Sequence, residues 1–169
     1  MPTLVVTGQP GAGKTTLISR LLGSRPPGET WAVLVNERGA ARLDPAPGVA
    51  VAEVDGGCMC CTAQVAFRVA LTRLLREARP ARLFIELNAA SHLAATLKAL
   101  SGPWLAPVLA LGPVVEAVDL DAGESSPAGA PPADVVCVRG AGAAPGKRVI
   151  DADRATLAAI YGTTVSEPR

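Results

Sequence analysis

A chain of 169 residues with 49% hydrophobic and 18% charged residues has the make-up of a soluble globular protein of one domain, long enough to bury a full core. Its formal net charge of +1 excludes any electrostatic argument for nucleic acid or an anionic membrane as partner. Aromatic residues make up only 3%, so the core must be built from Val, Leu, Ile and Ala.

The first predicted element is a strand over residues 3–7, with the apolar run Leu4-Val5-Val6. It leads into Gly8-Gln9-Pro10-Gly11-Ala12-Gly13-Lys14-Thr15-Thr16, which has the spacing G-x-x-x-x-G-K-[ST] of a phosphate-binding loop. An amphipathic run follows (Leu17, Ile18, Leu21, Leu22) and predicts a helix to about Gly23. Glycines at 8, 11 and 13 let the chain curl so that successive N–H groups point into one concavity, and the helix adds the positive end of its dipole. Ala12 and Thr16 complete the loop's lining. Lys14 is the point charge for the outer phosphates and Thr15 the hydroxyl for Mg²⁺.

A polar link, residues 24–30, leads to a second strand, Trp31 to Val35, which ends at Asn36-Glu37. A third strand is predicted over Val49–Val54, followed by Asp55-Gly56-Gly57-Cys58-Met59-Cys60-Cys61. Thr62 caps a helix to about Arg79, with Val65, Val69, Leu71, Leu74 and Leu75 as its apolar positions and Arg68, Arg76 and Arg79 on a solvated side; Pro80 ends it. A fourth strand, Arg82 to Glu86, precedes a turn at Asn88-Ala89 and a helix over 91–100. A fifth strand lies within Leu111–Val118 and ends at Asp119; residues 121–132, rich in Pro, Gly, Ser and Ala, are expected to be a mobile loop. Asp134 to Val138 is the sixth strand, with Cys137 read as core packing; a short strand over 148–150 and a helix over 152–160 complete the chain.

Strands alternating with helices, several of them continuous apolar runs, predict an α/β fold: a mostly parallel sheet with helices on both faces, in a single domain covering 1–169. Ligands of such sheets sit at the carboxyl ends of strands, where the Gly-rich loop, Asn36-Glu37, Glu86 and Asp119 all fall.

Cys58, Cys60 and Cys61 place three thiols within four residues, enough to converge on one soft or borderline ion such as Zn²⁺. Glu37, Glu53, Asp55, His92 or water could take the fourth position, and an exchangeable position suits transfer better than a closed structural site. A redox role for the thiols, or plain burial, are the competing readings. The N-terminus has no basic region, and three of the four cysteines lie together, so the chain reads as cytoplasmic rather than as a secreted disulfide framework. The apolar stretch Leu105 to Val118, broken by Pro107, Gly112, Pro113 and Glu116, is too short and interrupted to span a bilayer.

These motifs, in this order, resemble the CobW-type P-loop GTPases, a group related to the GTPases that deliver nickel for urease and hydrogenase maturation. The resembling positions are Gly8 to Thr16, Val33 to Gly39 with Asp44, Gly57 to Thr62, Leu83 to Glu86 and, more weakly, Val118-Asp119 and Ala133 to Val136. The resemblance implies a nucleotide-gated metal chaperone or metal-insertion factor, usually for zinc or cobalt, with slow hydrolysis of GTP. Lys14, Thr15 and Glu86 would be its catalytic groups, with Mg²⁺ on Thr15. Glu37 would belong to a switch segment near nucleotide and metal, and Cys58, Cys60 and Cys61 would hold the transferred ion. A recipient metalloprotein and a nucleotide-dependent homodimer are implied as partners.

The chain departs from that pattern in three places. Arg139-Gly140-Ala141-Gly142 stands where the family's guanine-reading Asn-Lys-x-Asp follows the sixth strand, which leaves GTP and ATP both open. Glu86-Leu87-Asn88-Ala89 lacks the glycine of the family's corresponding turn. The 169 residues read as the nucleotide domain alone, without the C-terminal domain and histidine-rich stretch of longer members. A non-hydrolysing nucleotide- and metal-binding module, and a small-molecule P-loop kinase, are the alternative readings.

Overall fold

The computed structural model describes residues 1–36, 43, 46–54, 62–87, 93–121, 134–139 and 148–162. In chain order they form β1 (Pro2–Thr7), α1 (Lys14–Leu22), β2 (Trp31–Asn36), β3 (Val49–Glu53), α2 (Thr62–Ala78), β4 (Arg82–Leu87), α3 (Leu93–Leu100), β5 (Ala110–Asp119), β6 (Val135–Arg139), β7 (Arg148–Asp151), a 3-10 turn (Ala152–Arg154) and α4 (Leu157–Tyr161). All seven strands join one sheet in the order β3-β2-β4-β1-β5-β6-β7, and every neighbouring pair is parallel.

A parallel strand buried on both faces has no polar face to show, which is why β2 reads WAVLVN and is buried at every position. Alternate residues feed two cores. On one face Phe67, Leu71 and Leu74 of α2 and Leu93 and Leu100 of α3 pack on Ala32, Leu34, Leu83 and Ile85. On the other, Leu17, Ile18 and Leu21 of α1 and Ile160 of α4 pack on Leu4, Val33, Phe84 and Val115. The expected α/β layering is therefore observed.

Two helices differ from their sequence reading. Val65 and Val69 are 61% and 62% exposed and are not part of the buried stripe of α2. Phe67, Leu71 and Leu74, at i, i+4 and i+7, form a competing stripe with larger side chains, and burying those removes more apolar area from water. Arg79, at φ 44°, takes the left-handed position that ends helices, and Pro80 follows. The last helix is split. Asp151 Oδ1 accepts from Asp153 N–H and caps the 3-10 turn, Ala155 is extended, and Thr156 Oγ1 accepts from Ala159 N–H to cap α4. Two caps in six residues interrupt what the apolar spacing alone continues.

At the amino end of the sheet, Arg82 lies between the rings of Trp31 and Tyr161, 5.3 and 5.6 Å from their centroids. β5 carries a bulge between the positions facing Thr3 and Val5, where Gly112 meets the Tyr161 ring and Pro113 has no N–H to give to a ladder.

Gly8 closes β1 against β5. Its φ is +148°, and a Cβ there would lie 2.4 Å from the Ala117 carbonyl oxygen, a backbone atom that cannot move aside. Gly8→Ala is expected to lower stability by roughly 1–3 kcal/mol, or several degrees of melting temperature. Gly11, at φ +86° with nothing within 4 Å of its Cβ, involves only backbone strain, so Gly11→Ala costs about 1 kcal/mol. Thermal melts of the two variants check the ranking.

Candidate functional site

β1 lies between β4 and β5, where the chain's path across the sheet reverses: β2 and β3 were laid to one side, β5, β6 and β7 to the other. Crevices at such a switch point, at the carboxyl ends of the strands, are where α/β sheets bind ligands. Residues 8–13 leave β1 at this point and enter α1.

The loop has the geometry that its sequence demands. Gly11 and Gly13 have φ of 86° and 83°, conformations L side chains rarely adopt. Gly13 is the N-cap of α1 in the left-handed region, and its carbonyl accepts the first helical bond, from Leu17 N–H at 2.9 Å. No side chain caps α1, so its first N–H groups stay directed at the crevice. The structure brings together Gly8, Gly11, Ala12, Gly13, Lys14, Thr15 and Thr16 around this turn.

Lys14 is only 3% exposed; its Nζ donates to the carbonyls of Gly8 (3.1 Å) and Gln9 (2.7 Å). The ammonium is thus folded back over the loop's own carbonyls, at the place where an anion held by the N–H groups would compete for it. Glu86, on β4, is 1% exposed, and its Oε1 accepts from Thr15 Oγ1 at 2.8 Å, a contact between residues 71 apart in sequence. The register explains the meeting: Val6, two residues before the loop, pairs with Glu86 across the β1–β4 ladder. A hydroxyl and a carboxylate side by side at the head of a helix are hard oxygen donors, the set a small divalent cation such as Mg²⁺ takes.

Asn36, 2% exposed, ends β2 beside Leu87 of β4. Val35 pairs with Glu53 of β3, and Val54 N–H donates to the Val35 carbonyl. The chain therefore leaves β2 and β3 from adjacent strand ends, on the same edge of the sheet as the loop. Glu37, Asp55, Cys58, Cys60, Cys61, His92 and the turn at Asn88-Ala89 lie outside the described residues, as does the 122–132 part of the loop expected over 121–132. Glu53 is described and is exposed. Among the described residues no cluster of three or more His, Cys, Asp and Glu side chains could hold a metal ion, and no helix is long and apolar enough to cross a membrane.

Two features were missed in the sequence. Glu116, 5% exposed, sits within β5 opposite Thr7 of β1, so a carboxylate is buried one strand from the loop. Its sequence signal was a lone charge in an apolar run, which also fits a break in that run. Arg20 of α1 reaches across to Asp153 in the 3-10 turn, with Nη2 and Oδ1 2.9 Å apart. That pair joins residues 133 apart, and no local pattern announces it. An open surface groove of about 650 Å³ runs along Arg68, Val69, Thr72 and Arg76 of α2, on the other face of the sheet from α1.

A family model for the nucleotide-binding domain of CobW/HypB/UreG matches residues 2–133. The zinc chaperone YeiR of Escherichia coli (strain K12) is 43% identical over 105 residues, covering 60% of this chain and 32% of YeiR. The zinc chaperone CobW of a Sinorhizobium species is 31% identical over 130 residues, covering 70% of this chain and 36% of that protein. The chain thus spans about a third of the length of these relatives. Among solved structures, Zn(II)-bound YjiA GTPase from E. coli matches with a TM-score of 0.52 at 20% identity, over 82% of this chain and 48% of YjiA, a likeness of fold.

Proposed function

The chain belongs to the CobW/HypB/UreG family of nucleotide-binding domains, and from that premise we propose that it is a nucleotide-dependent zinc chaperone that binds and slowly hydrolyses GTP. The observation that carries the nucleotide half is the contact between Thr15 and Glu86 at the head of a loop whose glycines and buried Lys14 have phosphate-binding geometry. Gly8, Gly11, Ala12, Gly13, Lys14, Thr15 and Thr16 cradle the phosphates. Lys14 exchanges the Gly8 and Gln9 carbonyls for phosphate oxygens. Thr15 and Glu86 hold Mg²⁺, which supplies neutralising charge to the outer phosphates when bound.

Hydrolysis is slow on this reading. Lys14, Thr15 and Glu86 position and neutralise the phosphates, and residues 8–16 contain no arginine to meet charge developing on the γ-phosphate. Zinc is cargo. Cys58, Cys60 and Cys61 hold it as thiolates, with Glu37 in a segment responsive to both nucleotide and metal. Three things support that half: the two zinc chaperones among the relatives, the Cys-x-Cys-Cys spacing, and the departure of both segments from neighbouring strand ends beside the loop. A γ-phosphate that orders segments at those ends would tie metal affinity to nucleotide state, and by linkage the reverse. A cytoplasmic location, a recipient metalloprotein and a nucleotide-dependent homodimer belong to the same proposal.

Calorimetry of the purified chain with Mg²⁺ and GTP, GDP or ATP tests it. Saturable binding of GTP and GDP, with phosphate released slowly from GTP, is the expected result. Failure to bind any of the three would overturn it.

A further inference from the structure

Helix α2 has a face that folding does not account for. Phe67, Leu71 and Leu74 are buried against the sheet. On the opposite side Val65, Val69, Thr72 and Arg76 follow at i, i+4, i+7 and i+11, which stacks them into one stripe about 17 Å long. Both valines are more than half exposed and lie one turn apart. A β-branched residue loses rotamer freedom in a helix and here leaves apolar area in water, so neither core packing nor helix propensity explains the pair. The open groove along α2 follows the same stripe, with Arg68 on its rim.

The stripe is basic. Arg68, Arg73, Arg76 and Arg79 stand against Glu77 alone on this helix and its end, in a chain whose formal net charge is only +1. Glu77 is taken up by Arg73, at 2.8 Å on the helix's flank. Among the described residues Arg68 and Arg76 form no ion pair, so two guanidinium groups beside the valines are open to carboxylates from outside. Arginine forks hold carboxylates bidentately, and the valines between them offer an apolar anchor. Together these features choose between occupants. A second copy brought up by two-fold symmetry would set the same arginines against themselves. A phosphate backbone has no use for the valines. An acidic segment with an apolar stripe of its own matches both, in the manner of an amphipathic helix laid in a groove.

We propose that the Val65–Arg76 face of α2 docks an acidic amphipathic segment of a partner protein, the one that receives the zinc. The recipient role rests on the zinc-chaperone reading above: α2 begins at Thr62, directly after Cys61, so a partner along the stripe has one end where the cysteine stretch joins the helix. The probe is a labelled peptide with a leucine stripe flanked by glutamates, titrated at physiological ionic strength against reduced, zinc-loaded chain. Its controls are the same composition scrambled, the lysine-for-glutamate version, oligouridylate and anionic vesicles. The ordered acidic peptide should bind best. Arg68→Glu with Arg76→Glu should weaken it at least about tenfold and turn the preference to the lysine peptide. Val65→Ser with Val69→Ser should weaken it about fivefold, an effect that purely ionic attraction would not show. Lys98→Glu, an exposed charge reversal on α3, should leave it unchanged. Ended by a cysteine pair, the acidic peptide should draw zinc from the chain at least about tenfold faster than its scrambled counterpart with the same pair. Equal binding of ordered and scrambled peptides, preference for RNA or vesicles, or wild-type binding by either double variant overturns the docking face. Peptide binding without faster transfer overturns the recipient role. The zinc-chaperone reading fails by a different result, a wild-type chain that takes up no zinc at all.

Discussion

Lys14→Ala is expected to weaken GTP binding by about a hundredfold or more, roughly 2.7 kcal/mol, and to abolish measurable phosphate release. The size follows from where the ammonium is. It is almost fully buried, its tether is the first residue of α1, and its partners include two carbonyls of the loop that would surround the phosphates. A positive charge already desolvated and aimed at the phosphate position loses little on binding and gains a charge-assisted bond, whereas a flexible surface lysine would have to be ordered first. Alanine leaves the N–H cradle intact, so residual weak binding is compatible with the account. Lys14→Arg should rescue poorly, because a planar fork cannot replace a compact ammonium at a buried site. Fluorescent-nucleotide titration and a phosphate-release assay measure both effects, and wild-type affinity in Lys14→Ala would remove the loop from the site.

The second large effect is on zinc. The Cys58→Ser, Cys60→Ser, Cys61→Ser triple variant is expected to lose near-stoichiometric Zn²⁺ binding while still binding GTP. Serine keeps the side-chain size but replaces a thiolate with a hydroxyl that is a poor ligand for this ion at neutral pH. Separation of the two functions is what the fold supports: the cysteine stretch connects β3 to α2, whereas the phosphate loop connects β1 to α1. Competition against a colorimetric zinc chelator with reduced protein gives the answer. A triple variant that holds zinc as tightly as the wild type would refute the assignment of the three thiols.

Much of this was legible from local sequence because the controlling interactions are local or periodic. The phosphate loop is a matter of backbone conformation within six residues, and Gly11 and Gly13 announce it by the φ values only they adopt readily. The sheet announces itself through strands buried on both faces, such as the six apolar-to-polar residues Trp31–Asn36. Less legible was the choice between overlapping apolar stripes on α2, which is settled by what the sheet presents to Phe67 rather than by spacing. The break after Arg154 depended on Asp151 and Thr156 each finding an N–H to cap. Least legible were the partnerships across the fold. Thr15 with Glu86 could be guessed only from resemblance, and Arg20 with Asp153 not at all, because register and helix placement, not sequence distance, bring them together. Gly8 shows the same limit: its spacing marks it as part of the loop, but its closest constraint is the Ala117 carbonyl of β5.

On the proposed reading, nucleotide state sets metal affinity. The deciding quantity is the zinc dissociation constant of reduced protein, measured by chelator competition without nucleotide, with Mg²⁺ and a non-hydrolysable GTP analogue, and with Mg²⁺ and GDP. The analogue is expected to change the constant by about five- to 150-fold relative to GDP, the usual range of coupling between two sites, and Lys14→Ala to erase the difference. Identical zinc affinity in all three states would contradict it.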